Sequence, residues 1–466
     1  MARAAIAVTA LLLTACGSQR DATTRSFPAA AGTPPAGIGR PGAATPAIRV
    51  RSAWVKLEVP AGNGAFPFNR PHRLQLPVGW TATVWARYTG LRLMAWTPEH
   101  HLLASSPQND DVVEFVPGAN PATVPARHVV ITGLRRAQGL AFDRVGGREV
   151  LYVAAANELD RYTWVDGRPT DRTVLVPDLP DTQPAQDDVH ELKNVVVGRD
   201  HTIYVDIGSS SNASPRTSWH GTPRASVMAY RPDGRRLRVW ATGVRNGDGL
   251  AFAPDGTLWT AVNERDQMPY PFHGPYGSAH DAYDQVMQAY VNEHPPDEVA
   301  RLPPGRDLGW PYCDPDPDVQ PGVPGGARNY GAMRFDVDPQ TNAGSRQLNC
   351  AKLTPIERGL PAHSAPLGFH FLLGSALPQP WSQGAVVAAH GSWDRQPPRS
   401  PQVYWLPWEA RARTLGPAIT ILTGLQNANG SRWGRTVDAL PGPDGALYVS
   451  DDAANAIYRI VPTGGS

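Results

Sequence analysis

Several places along the chain set a charged, aromatic or amide side chain just ahead of a short apolar run. Arg92 precedes Leu93, Gln138 precedes Gly139, and His190 stands shortly before Val195. Arg245 and Asn246 come just before Gly249, His363 just before Leu367, and Trp433 and Arg435 just before Val437. Loop ends are normally polar, so one such residue says little. Arginine at three of these six places, joined by two histidines and amides, suggests convergence on an anion. A guanidinium grips a carboxylate through a forked, charge-assisted pair of hydrogen bonds that lysine cannot copy. An imidazole, with an ordinary pKa of about 6.5, suits proton abstraction near neutral pH. The competing expectation is a solvated rim and a structural histidine.

The apolar runs that carry these residues repeat. Taking Leu103, Tyr152, Tyr204, Trp259, Val387 and Tyr448 as equivalent points gives spacings of 49, 52, 55, 128 and 61. Short strands with Gly/Pro turns at a period near fifty predict an all-β, six-bladed β-propeller, in which circular closure protects the sheet edges. Alternation alone would also fit a β-sandwich; near-constant spacing favours radial repetition. The long interval places a partly irregular insertion at residues 265–360 in the fourth blade, with a short helix expected around 281–291. Within it Asp297 and Glu298 read as a solvated acidic pair, with a structural Ca²⁺ site as the alternative.

The 466 residues carry 43 Lys+Arg and 42 Asp+Glu, a balance without the basic footprint that nucleic-acid binding needs. With 48 Pro and 45 Gly the chain stays below the composition of low-complexity disorder. Arg3 and the apolar run 4–15 have signal-peptide length, and Leu13-Thr14-Ala15-Cys16 is similar to a bacterial lipobox. The organisation expected is a signal peptide over 1–15, a lipidated Cys16 and flexible tether over 16–50, and a single propeller over 51–466. The protein would then be extracytoplasmic, in the periplasm or at the cell surface, held to the bilayer by its acyl chain. Cys313 and Cys350 remain; in an oxidising compartment an even remainder suggests a disulfide, with two free buried thiols as the alternative.

Residues 243–252 (GVRNGDGLAF), 262–266 (VNERD), 308–313 (LGWPYC), 362–368 (AHSAPLG), 389–395 (AHGSWDR), 433–435 (WGR) and 448–452 (YVSDD) occur in order. Together they resemble the soluble sugar dehydrogenases that use pyrroloquinoline quinone (PQQ), especially their sorbosone-dehydrogenase-like branch, over residues 76–460. The resemblance implies a six-bladed propeller that oxidises a sugar or sugar aldehyde and passes electrons to a quinone, a dye or a small cytochrome. It implies His190 as general base and Arg245 as the cation beside the reactive quinone carbonyl. It further implies Arg92, Gln138, Asn246, Arg395 and Arg435 as cofactor-binding residues, and a Ca²⁺ ion near Glu264 and Asp266. His363, His390 and Trp433 become candidates on the substrate side. Departures are visible: the glucose-oxidising branch has a lysine near His390, a second arginine where Val437 stands, and an aspartate where Ser209 stands. Two other readings remain, a non-catalytic binding propeller and a Ca²⁺-dependent lactonase; the latter needs converging carboxylates where Arg and His stand.

Overall fold

Successive residues of a strand point to opposite faces, so a strand covered on both faces must bury every side chain. The six equivalent strands meet that demand: Leu102–Ser106, Arg148–Ala154, Ile203–Ile207, Leu258–Val262, Gly384–Ala389 and Leu447–Asp451 are buried almost end to end. Alternate residues serve different neighbours. Leu102 packs with Tyr448 and Ile457, while Leu103 packs with Leu140 and Leu151. Tyr152 joins Ile203 and Met228, whereas Tyr204 joins Leu250 and Leu258. Trp259 joins Phe369 and Val387, and Val386 joins Val449 and Tyr458. Each cluster seals one sheet against the next, and the series returns to its start.

The structure, a computed structural model describing residues 48–181 and 190–462, is an all-β six-bladed propeller. The described strands all fall in the unit Val50–Ser466; the expected signal peptide, Cys16 and the tether to residue 47 lie outside the described residues. Blades one to five begin at Met94–Trp96, Gly139–Val145, Val195–Val197, Gly249–Phe252 and Pro366–Phe371. Blade six combines Thr436–Pro441, Leu447–Asp451 and Ala456–Val461 with Thr81–Arg87 from the other end of the chain. That last pairing, Thr81 opposite Val461 through Arg87 opposite Ala456, closes the ring. At the axis the innermost strands nearly touch. A Cβ on Gly139 would sit 2.6 Å from the Val195 amide, and one on Gly368 2.7 Å from Asp438 Cα, so only glycine fits.

Residues 265–360 are not one excursion, because two of blade four's own strands, Asp297–Arg301 and Ile356–Leu360, lie inside the interval. The added chain comes in two stretches, 263–296 and 302–355. The second lends Arg306–Asp307 to blade three and the hairpin Cys313–Asp316 with Gly331–Val337 to blade four. The helix expected over 281–291 shrinks to one turn, Gln288–Val291. Upstream of it, the Tyr270 amide donates to the Gln285 carbonyl and the Asp284 amide to the Tyr270 carbonyl, closing a loop around Tyr270, Tyr276 and Tyr290. Asp297 and Glu298 are not solvated: they are 1% and 0% exposed, and Asp297 accepts the amides of Glu264 and Ala365. No helix among the described residues is long and apolar enough to cross a membrane.

Cys313 and Cys350 form a disulfide, and both sit in the apolar cluster between blades three and four. The bond closes a 37-residue separation inside the second stretch, for which loop entropy gives about 4 kcal/mol. A Cys313→Ser/Cys350→Ser variant should therefore lose stability of that order in urea unfolding. Limited proteolysis should nick it within 302–355 before any blade strand is cut.

Candidate active site

At one mouth of the axial channel a cavity of about 320 Å³ is lined by Arg92, Arg136, His190, Asn246, Asp248, Asn263, Asp266, His390 and Arg435, among others. The volume lies at the small end of the roughly 300–1,000 Å³ usual for cofactor sites. His190 stands on the chain leading into blade three. Gly208 backs it: a Cβ there would lie 2.7 Å from the His190 carbonyl oxygen, so the glycine is what lets the strand end pass so close. The His190 amide donates to the Ser209 carbonyl, and Ser209 in turn donates its amide to the Arg245 carbonyl. The Ser209 hydroxyl gives its one proton to the Ser211 carbonyl, 2.8 Å away. It therefore accepts from His190 Nδ1 at 2.9 Å, which assigns the proton to Nδ1 and leaves Nε2 as the basic nitrogen.

Electrostatics keep that nitrogen unprotonated. Burial, with the charges of Arg245 and Arg224, holds His190 well below the usual histidine range. His390 is pulled down to about 4 by burial, against the opposing pull of Asp452. Although burial alone would raise it, the hydrogen bond from His390 and the charge of Arg92 hold Asp452 well below the carboxylate range.

The arginines are aimed by acids and amides behind them. Arg92 donates to Gln138 Oε1 at 2.6 Å and to Asp452 Oδ2 at 2.7 Å, and stands 3.7 Å from Asp248. Gln138 reaches on to Asp248 at 3.2 Å. His390 bonds the other oxygen of Asp452 at 2.9 Å. Arg435 donates to the carbonyls of His390 and Gly391. Burial first, and then the charge of Arg432, push Arg435 down to about 10, with Arg92 adding to the repulsion. Guanidiniums that repel one another around a cavity are relieved by an anion between them.

Arg245 lies behind this wall rather than on it. It is 1% exposed and donates to the carbonyls of Asn212, Asn263 and Glu264 and to Asn212 Oδ1. Asn212 also brackets Asp266, accepting its amide and donating to its carbonyl. Arg245 thus fixes the loop that presents Asn263 and Asp266 to the cavity. Asp266, His363 and Asp394 bring one ligand atom each within 4.8 Å of one another. His363 gives Nε2 to the Val291 carbonyl and faces the two carboxylates with Nδ1, at 3.9 and 3.8 Å.

Of the residues singled out from sequence, Arg92, His190, Asn246, Asp266, His390 and Arg435 come together on one cavity wall. Gln138 and Arg245 buttress it. Glu264 is buried, its carbonyl taken by Arg245 and its carboxyl pushed up to about 8 by burial. Arg395 pairs with Glu293 at 3.2 Å, and Trp433 stacks on His72 at 4.1 Å; neither lines the cavity. Val437 joins Leu93 and Leu367 in an apolar cluster on the axis. Leu367 borders this cavity and Leu93 a second one in the channel beyond it. Sequence reasoning missed Arg136, Asp248 and Asp452. Their only signal was closeness to Gln138, Asn246 and the YVSDD segment.

A family profile described as TrAA12-like matches residues 74–463. The chain belongs to the TrAA12-like family. A curated relative, the "Pyrroloquinoline quinone-dependent pyranose dehydrogenase" of Coprinopsis cinerea, is 25% identical over 285 residues. The alignment takes in 55% of this chain and 37% of that relative's length. The holo PQQ domain of pyranose dehydrogenase from Coprinopsis cinerea superposes with a TM-score of 0.65 at 20% identity, over 84% of this chain and 97% of that one. A calcium structure of a Trichoderma reesei AA12 enzyme gives 0.65 at 19%, over 83% and 96%. At such identities the two structures establish for this TrAA12-like chain the shared fold.

A histidine held neutral in the fold favours unfolding as pH drops below 6.5, because the unfolded chain takes up a proton there and the folded one does not. In an NMR titration of the folded protein, the imidazole carbon-bound protons of His190 and His390 should keep their neutral shifts as pH falls through 6.5. A midpoint near 6.5 for either would contradict the burial described here.

Proposed function

We propose that this TrAA12-like protein is a PQQ-dependent sugar oxidoreductase and that His190 is its general base. The observation that carries the reading is a neutral imidazole, tethered through Nδ1, on the wall of a cavity rimmed by three guanidiniums. A tri-acid redox cofactor suits that rim. Arg92, Arg136 and Arg435 would hold its carboxylates, and Asn246 would donate to its polar edge. Bound there, PQQ supplies the two-electron acceptor. His190 takes the proton of the sugar hydroxyl on Nε2, while the bond to Ser209 keeps the ring from turning. Asp266, with Asp394 behind it, offers the hard oxygen donors that Ca²⁺ prefers. Glu264 is a poor candidate, being buried away from the cavity lining with its carbonyl already taken by Arg245. Oxidation of an aldose or of a sorbosone-type aldehyde, with a quinone, dye or small cytochrome as acceptor, belongs to the same proposal. So does an extracytoplasmic setting with a lipid anchor at Cys16.

The test is dye reduction by the purified protein with PQQ, Ca²⁺ and a panel of aldoses and sorbosone. His190→Ala should cut turnover by about 10²–10⁴-fold while PQQ still raises the melting temperature. Unchanged turnover would remove His190 from the mechanism. Arg92→Ala and Arg435→Ala should each weaken PQQ binding by about 1.5–3 kcal/mol, read by titration calorimetry. Since the base works unprotonated and its pKa is depressed, activity should rise with pH along a limb whose midpoint lies below 6.5.

A further inference from the structure

Away from the cavity, in the chain added to blade four, His294 is 3% exposed and stacks on Tyr290 with ring centres 4.0 Å apart. Its Nδ1 lies 3.1 Å from the Tyr290 carbonyl oxygen. A carbonyl can only accept, so Nδ1 carries the proton and a neutral ring presents a bare lone pair at Nε2. That nitrogen is buried without a hydrogen-bond partner, and it faces Asp318 Oδ1 at 3.3 Å and Asp316 Oδ1 at 4.0 Å. Asp318 Oδ1 is buried and unpartnered as well. A lone pair set against two carboxylate oxygens is repulsive unless something positive lies between them.

A proton on Nε2 does not resolve the contact. Nitrogen and oxygen are near enough to bond, yet they are off-axis and make no hydrogen bond. Donors whose lone pairs converge on a third point have this arrangement. At metal–ligand bonds near 2.1 Å, a tetrahedral angle sets neighbouring ligand atoms about 3.4 Å apart. The remaining contacts orient the carboxylates for that role. Arg334 ion-pairs with Asp316 Oδ2 and turns Oδ1 toward His294. The Asp318 amide donates to Asp316 Oδ1 at 2.8 Å, leaving that oxygen a second lone pair. Arg328 stands 3.5 Å from Asp318 Oδ1 without bonding to it. Both oxygens of Asp314 and one of Asp336 are also buried without partners, so acid outweighs base around Tyr290.

We propose that His294, Asp316 and Asp318 bind a structural divalent transition metal of the Zn²⁺ type. One imidazole with two carboxylates favours such an ion over Ca²⁺, which takes oxygen ligands alone. The ion would tie the end of 263–296 to the hairpin that follows the disulfide cysteine. Segment 288–294 also props the cavity wall: Gln288 donates to the Asp394 carbonyl, and Val291 receives His363. The site therefore bears on the wall that carries Asp266 without touching the cavity.

The full chain, stripped with EDTA and dialysed, is titrated with Zn²⁺ and assayed for bound metal by mass spectrometry of the washed protein. Asp318→Asn and His294→Gln should each bind one equivalent fewer than the wild type, or bind that equivalent roughly tenfold or more weakly. Asp394→Asn, which alters the other triad, should keep it, and excess Ca²⁺ should not displace it. Co²⁺ in place of Zn²⁺ should give visible absorption that His294→Gln loses. Equal Zn²⁺ stoichiometry and affinity in wild type, Asp318→Asn and His294→Gln would overturn the site, as would a stripped wild type that takes up no Zn²⁺. Both readouts are independent of PQQ and of turnover.

Discussion

The ladder between Thr81–Arg87 and Ala456–Val461 is the contact on which the rest depends. A propeller has no single core. Its stability comes from clusters that each need two neighbouring sheets, so one open joint leaves two apolar faces exposed to water. The same ladder creates chemistry. Arg92 and Asp452 are separated by 360 positions, yet their side chains meet at 2.7 Å because the ring is shut just beyond them. Arg92, Gln138, Asp248, Asp452 and His390 form one connected network across blades that no shorter arc would bring together.

Much of the fold was legible because strand periodicity and turn spacing are properties of chain order. The six reference positions all fall in the second strand of their blade. What depends on closure was not. Thr81–Arg87 carries no mark telling that it completes the last sheet, and the long interval hid two ordinary strands because stretches with their own apolar cluster surround them. At the mouth, the sequence located residues but not their direction. A side chain there can point along the axis or back between blades; Arg92 and Arg435 do the first, Arg245 and His363 the second. Ser209 and Val437 looked like losses against the family pattern. One sets the tautomer of His190, and the other fills the axis.

The site shows how three guanidiniums are held at one opening without unfolding the ring: Glu191, Asp248 and Asp266 line the same cavity and balance their charge. Its arginines are braced from behind by Asp452, Gln138 and backbone carbonyls, while their remaining charge faces inward. Neutral imidazoles are interleaved with them, adding hydrogen-bonding capacity at no electrostatic cost. Asp452 braces Arg92 and Glu191 braces Arg136, whereas Arg435 is held by backbone carbonyls, so the cavity presents donors and a proton acceptor at once.

Leu93, Leu367 and Val437 put hydrocarbon on the propeller axis, with Leu367 bordering the upper chamber and Leu93 the lower one. A polar ligand held at the rim would meet that hydrocarbon as its floor, and would find no hydrogen-bonding groups there to draw it further along the axis. On the proposed function, sugar and released product would share the polar mouth, and departure from it becomes a step that the mouth residues can slow.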